Sequence, residues 1–459
     1  MRIDGTASRT AAAPRLQRLR LRPLAACLVA ALASSTLSTR AAPPTRAAIA
    51  PQSTILVQNC NNTGAGSLRD AVFMATSGDK IDATHLTCST ITLTSGAIAT
   101  TLNQLEIDGP GMDRLTIDGD SAHRVFNHVA ANPAANPGLF LKGMTIANGR
   151  HDYQAGTAKG GCVFSSAFVT LSRVTVRNCV AASPTGGASY GGGVYATGIS
   201  LLDSTISGNK AQGVNGRGGG VFSHGGLGVR YSTIKDNNAS YVAGGGSSNS
   251  GIEMYHSTVS NNRAGSFVGG LAVFGGTSSI INDSTISGNS AATAVGGLQL
   301  VSVGGLQAGN STIAFNHLDS PNPGNGAGIF IRATTLNLTS SIVWGNTRGA
   351  GTANDIDGDS GGTLTGNKNL IASSSLGFPS NTLIGFNPLL LPLAFNGGPT
   401  ATHALSAGSP AIDAGVFYIP ADGDQRGPGY PRKVGPQQDM GAYEFDADRI
   451  FRDGFDRTT

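Results

Sequence analysis

The sequence predicts an all-β fold, a right-handed parallel β-helix with a short capping helix at its start. Three observations carry this. A Ser-x-apolar segment recurs six times, anchored on Ile206, Ile234, Val259, Ile286, Ile313 and Val343, at spacings of 28, 25, 27, 27 and 30 residues. Five and seven places before the anchors stand further apolar residues, such as Leu201 and Ile199 or Met254 and Ile252, the alternation of a strand with one buried face. Three places after every anchor comes asparagine: Asn209, Asn237, Asn262, Asn289, Asn316 and Asn346. A repeat of this length implies stacked units that cannot bury their faces alone. Helical repeats of similar period would not tolerate this density of Gly, Ser, Thr and Asn in their interiors.

The offsets also give the shape of one unit. Serine stands two places before each anchor (Ser204, Ser232, Ser257, Ser284, Ser311, Ser341), on the anchor's side. Two residues separate it from the preceding apolar position, where a straight strand would have one, so the chain must turn a corner there. The asparagines suit a tight turn and can bond to one another from coil to coil. Gly-Gly-x-apolar pieces, such as Gly192-Gly193 before Val194 and Gly269-Gly270 before Leu271, begin the next strand. Glycine there permits close stacking of backbones.

The 459 residues fall into six stretches. Residues 1–33 read as a secretory signal: Arg15, Arg18, Arg20 and Arg22 precede an apolar run from Leu24 to Ala33, too short to span a bilayer. Residues 34–50, rich in Ala, Pro, Ser and Thr, read as a linker. Residues 51–100 supply an N-terminal cap, with Ser67 and Asp70 placed as a capping box and Leu68, Ala71, Val72 and Ala75 on one helical face. Residues 101–385 hold the repeats, with 105–109 and 115–119 read as two early coils. Residues 386–445 change character, and 446–459 form a tail. Removing the leader takes away six arginines and Asp4, leaving 25 basic and 26 acidic side chains, so the basic balance belongs to the leader and implies no nucleic-acid partner. Four cysteines then remain, an even number that suggests disulfides in an exported chain. Chain proximity favours Cys60–Cys88 and Cys162–Cys179, with two other pairings open.

Three stretches resemble known families. Gly66-Ser67-Leu68-Arg69-Asp70-Ala71 is similar to the N-terminal segment of bacterial CSLREA-type β-helix proteins, with Gly66 in place of the cysteine. The Gly-Gly-x-apolar and x-x-Asn pairing resembles polymorphic outer-membrane protein repeats, with Ile or Val in place of their phenylalanine. Asn396-Gly397-Gly398-Pro399-Thr400, Ser409-Pro410-Ala411-Ile412-Asp413-Ala414-Gly415, Asp424-Gln425-Arg426-Gly427 and Asp439-Met440-Gly441-Ala442-Tyr443-Glu444 closely resemble the choice-of-anchor Q domain. That resemblance implies an exported bacterial β-helix protein displayed at the cell surface or released.

The candidate chemistry is sparse. Charged residues make up 13 %, with glutamate only at 106, 253 and 444, so catalytic carboxylates are largely limited to aspartates. An outward corner column reads Asp203, Tyr231, His256, Asp283, Asn310, one residue per coil about 4.8 Å apart. His256 and Asp283 are placed to pair as catalytic candidates. Asp203 and Asp283 lie about 14 Å apart, beyond the roughly 5–9.5 Å of a glycosidase pair. Asp355, Asp357 and Asp359 have the 1, 3, 5 spacing of a calcium loop, without its glycine at the sixth place or its terminal glutamate. An aspartate-rich turn is the plainer reading. Tyr195 and Phe222 occupy matching places in consecutive coils and, with Tyr231, are candidates for sugar stacking. The threonines before the anchors form one column, where an ice-binding array needs two.

Pectate lyases share the β-helix, so a pectin-lyase-like polysaccharide lyase or hydrolase is one reading. It requires clustered acidic calcium ligands and a basic residue. The reading preferred on these residues is an exported β-helix that works by adhesion or glycan binding, needing no cofactor beyond an optional Ca2+. A polysaccharide or a host-surface molecule is the implied ligand. A passive stalk is the third reading.

Overall fold

A computed structural model describes residues 53–154, 156–276, 278–322, 325–416 and 423–447. The expected signal, linker and nearly all of the tail lie outside them. The described chain is a parallel β-solenoid of about 11 turns, consistent with a right-handed β-helix. A complete central coil contributes two limbs to a 22-stranded first sheet, one strand to a 9-stranded sheet and one to a 10-stranded sheet. In the coil that opened the repeat, these are Gly198–Leu202, Thr205–Ser207, Lys210–Gln212 and Val221–Ser223. Register is kept from coil to coil: Ile199 pairs with Leu227, Ile206 with Ile234, Ala211 with Ala239 and Val194 with Val221. The inward residues, including Ile199, Leu201, Ile206 and Val221, form one apolar core running the length of the solenoid.

The early segments depart from expectation. Gln104–Asp108 pairs with one part of Gly138–Ala147 and Thr116–Asp118 with another. They are therefore the two limbs of a single coil, not two coils. The intervening Gly109 packs closely at this point: its Cα lies so close to the carbonyl of Gly143 that an added Cβ would stand 2.4 Å from that oxygen. The chain turns there within one coil.

The corner predicted between the limbs is a single residue in the left-handed region. Asp203, Tyr231, His256, Asp283, Asn310 and Ser340 have φ of 48°, 47°, 48°, 44°, 48° and 49°. None of them is glycine, and this conformation costs most L-residues energy, so the stacking of neighbouring coils must hold it. The serine after each corner does this. Its hydroxyl accepts the backbone N–H of the corresponding residue in the preceding coil, from Val174 N to Ser204 Oγ (3.1 Å) through Ser257 N to Ser284 Oγ (3.2 Å) and Ser311 N to Ser341 Oγ (3.1 Å). Asn369 ends the series by accepting from Ser341 N.

A second ladder follows the anchors. The Nδ2 of Asn209, Asn237, Asn262, Asn289 and Asn316 each donates to the Oδ1 of the next asparagine at 2.8–2.9 Å, and the same oxygen accepts the donor residue's own backbone N–H at 3.0 Å. All six amides are buried. Cys179 begins the column, giving its N–H to Asn209 Oδ1, and its sulfur is bonded to Cys162. Asp355 ends the column, accepting from Asn346 N and Nδ2 on one oxygen and from Ser373 on the other. The paired glycines lie beside this ladder: a Cβ on Gly270 would stand 2.3 Å from the carbonyl oxygen of Gly297.

At the start, Leu68–Met74 is helical, with Ser67 Oγ accepting from Asp70 N and Asp70 Oδ2 accepting from Gly66 N. Leu68, Ala71 and Val72 enter the core, and the Arg69 guanidinium bonds the carbonyls of Gly96 and Ala97. Both expected disulfides are present, Cys60–Cys88 and Cys162–Cys179. No described helix is long and apolar enough to cross a membrane.

The amide ladder yields a test. Asn262→Ala leaves the backbone N–H of Asn237, one N–H of its side-chain amide and the carbonyl of Ile234 without these partners. A loss of about 2–4 kcal/mol is expected in urea unfolding, since each orphaned buried group costs about 1–3 kcal/mol.

Candidate functional site

The corner column does not face open solvent along its whole length. The C-terminal segment, residues 386–416 and 423–447, runs back over the first sheet and covers it from His256 to Ser340. Gln425 is the main clasp. It is fully buried, with Oε1 accepting from Thr285 Oγ1 (2.5 Å) and Nε2 within 3.0 Å of Thr258 Oγ1, Thr400 Oγ1 and the carbonyl of Ala401. Ala442 N donates to Thr312 Oγ1, Gln438 Nε2 to Asn310 Oδ1 and Gly441 N to the carbonyl of Ser340. Thr258, Thr285 and Thr312 are therefore at most 1 % exposed. A flat threonine array, as ice binding would need, is absent from these coils.

His256 and Asp283 lie under this cover, and the structure joins each to the C-terminal segment instead of to each other. His256 Nδ1 lies 2.9 Å from the carbonyl oxygen of Asp424, and its ring stacks on Tyr231 with centroids 4.7 Å apart. Burial lowers the His256 pKa, which keeps the ring neutral. Asp283 faces Arg432 at 3.8 Å. The expected catalytic pair is thus part of a packed seat. Tyr231 is half-buried between His256 and Gly427, where a Cβ would meet its ring at 3.0 Å.

Tyr195 and Phe222 do project from matching positions in the 10-stranded sheet, but as part of a longer stack. Phe164, Tyr195 and Phe222 lie face to face, centroids 5.6 Å apart at both steps. Tyr190 stacks on Phe222 at 4.8 Å, leaving Phe222 5 % exposed, and Lys159 Nζ sits 5.0 Å from the Tyr195 ring. The ring faces are spent on one another along the solenoid axis, so a sugar would meet edges and not a platform.

The three aspartates of the cation-loop reading separate in the same way. Asp355 terminates the amide ladder, where burial raises its pKa. Asp357 bonds Ser375 and Gly358. Asp359 makes a two-pronged ion pair with Arg332 at 2.7 Å, which lowers its pKa. Ile356–Asp359 is a strand and not a turn, and its carboxylates are held by different partners, Asp357 by Ser375 and Asp359 by Arg332. Among the described residues no group of three or more His, Cys, Asp or Glu is placed to hold a metal ion.

What the repeat pattern did not disclose is a trough on the first limb of the first sheet. It spans five successive coils, from Phe168 to Ser278, and holds a depression of about 180 Å³. Strand register explains it. The outward column passes through the small side chains of Thr170, Ser200 and Gly228 before reaching Glu253, and beside it Gly198 is paired with Phe168. The Phe168 ring lies over Gly198, where a Cβ would stand 2.5 Å from it. A Cβ added at Gly228 would meet nothing closer than 3.7 Å, so the floor is open there. Arg230 borders the trough, its guanidinium stacked 4.8 Å over Tyr255. The signal was available: Gly198, Gly226, Gly251 and Ser278 all stand eight places before an anchor. No family model matches the chain, and no curated protein or solved structure matches it either. The three family resemblances rest on their motifs alone.

The clasp gives a second test. Gln425→Ala leaves the Thr258, Thr285 and Thr400 hydroxyls without their shared partner. Amide exchange at residue 425 and at Ala442 is expected to accelerate by the equivalent of about 2–4 kcal/mol, while far-UV circular dichroism of the solenoid stays unchanged.

Proposed function

We propose that the chain is an exported β-helix protein that binds extended glycan chains along the first-sheet trough without cleaving them. The trough is the observation that carries this. It runs along the solenoid axis, and its floor is lined by Thr170, Ser200 and Gly228 in three successive coils about 4.8 Å apart, with Glu253 in the next. A linear polymer laid along the axis would present successive units to successive coils. Phe168 offers an apolar ring at one end, and Arg230 and Glu253, two and three coils further on, offer a donor and an acceptor for hydroxyl groups. Export is supported by the two disulfides, which suit an oxidising compartment, and by the choice-of-anchor resemblance of residues 386–445. The non-catalytic part of the reading is supported by the fate of the candidate acids: Asp283, Asp355 and Asp359 are each engaged within the fold.

The purified protein is to be incubated with a polysaccharide panel, with and without calcium, following both co-sedimentation and the size of soluble products. Binding without shortening is expected. Gly228→Leu, which fills the trough floor, should weaken that binding at least tenfold while leaving the urea midpoint within error. Shortened products would replace this reading with the lyase or hydrolase one. Binding that survives Gly228→Leu would move the site away from the trough.

A further inference from the structure

The seat of the C-terminal segment buries a cluster of charge that glycan binding does not use. Arg432, on the segment, lies between two carboxylates of different origin. Its Nη1 is 3.8 Å from Oδ1 of Asp283, on the solenoid corner, and its Nη2 is 3.9 Å from Oε2 of Glu444, on the segment itself. Neither contact is a hydrogen bond. Nη2 donates instead to the carbonyls of Asp439 and Gly441, both at 2.7 Å. Nε and Nη1 of Arg432 and Oδ1 of Asp283 are buried without a hydrogen-bond partner.

Among the described residues, the other charged and titratable groups facing this cluster do not balance it. Asp439 adds a third carboxylate, held by the N–H groups of Asp413 and Phe445, with the Asp413 carboxylate beyond it. Asp424 is already matched by Arg426 at 2.6 Å. His256 reaches only the Asp424 carbonyl, and His403, farther along the seat, bonds Ser287 and the carbonyl of Leu391. One guanidinium therefore serves Asp283, Glu444 and Asp439 in a site closed to water, where unmatched charge is costly.

We propose that the C-terminal segment is a proton-linked latch: it docks on the corner column with Asp283 or Glu444 protonated, and loss of that proton loosens it from the solenoid.

Burial pushes both acids up to about 7. An acid whose pKa is raised on docking favours the docked state fully below its free range, near 4, and that contribution is lost as pH rises through about 7. His256 and His403 act in the opposite sense. Burial lowers both, so their contribution is lost as pH falls below about 6.5. The carboxylates thus set the alkaline side of the profile and the histidines the acid side.

Trp344, the one tryptophan in the chain, reports on docking. It packs against the apolar cluster that contains Ile342, Met440 and Tyr443 and stands edge-on to Phe315, which touches His403. Its emission is to be followed in urea titrations of the full chain at pH 5, 6, 7 and 8, with far-UV circular dichroism tracking the solenoid. Asp283→Asn is the first variant. Asparagine stands natively at this corner one coil on, in Asn310 with φ 48°, so the backbone tolerates it. The ratio of docking constants, variant over wild type, should rise about tenfold per pH unit between 5 and 7 and level off above. Glu444→Gln is the second variant and repeats the test at the other carboxylate. A pH-dependent ratio in either variant supports the latch. A constant ratio in both, as a purely structural role predicts, overturns it.

Discussion

The fold depends on a side-chain hydrogen bond made once per coil. Parallel strands hold the coils at a fixed distance, and each corner residue still bonds the next coil through its backbone, but the N–H groups of the serines and asparagines find side-chain acceptors in place of carbonyls. The asparagine amides and the serine hydroxyls supply the missing partners. An unsatisfied buried amide costs far more than a made bond returns, so these two columns determine which residues the repeat must keep. The apolar positions are looser: Ser279 and Ala308 stand where other coils carry leucine, valine or isoleucine. The amides are also aligned, each Nδ2 pointing toward the later coil, and a chain of such bonds is mutually reinforcing. The column begins at a disulfide-linked cysteine and finishes at a carboxylate that can only accept.

Most of this was legible in the sequence because it is periodic. The anchors, corners, asparagines and serines recur at fixed offsets, and local offsets translate directly into strand, turn and stack. The helix at Leu68–Met74 and both disulfides were readable for a related reason, since capping and short-range pairing depend on nearby residues. The early coil was misread because its two limbs resemble each other, Leu105-Glu106-Ile107-Asp108-Gly109 and Leu115-Thr116-Ile117-Asp118-Gly119, and look like successive repeats. Only strand register separates limb from coil.

The candidate sites were less legible, for a physical reason. Whether His256, Asp283 or Thr285 faces solvent is decided by residues some 140–170 positions later in the chain, and nothing local to those residues reports on that. The sequence put Tyr195 and Phe222 at matching places in consecutive coils, but the surroundings of their rings depend on Phe164 and Tyr190, which the repeat alignment did not bring into view. The trough is defined by side chains that are missing. A column of glycines is easily absorbed into a general account of backbone crowding, and its second meaning, an open floor, appears only once neighbouring strands are in register.

The covering segment also constrains how the molecule can vary in length. Its contacts reach from the His256 corner to the Ser340 corner, touching the solenoid at each step between. It therefore measures off a set number of turns. A turn added or removed among those coils would shift every later contact by one rise and leave the segment too short or too long for its seat. A turn added ahead of Tyr231 meets no such check, because the stacked columns accept any coil that carries the serine and the asparagine. The molecule thus has one portion free to lengthen through duplication and another whose number of turns is held fixed by its own C-terminal end.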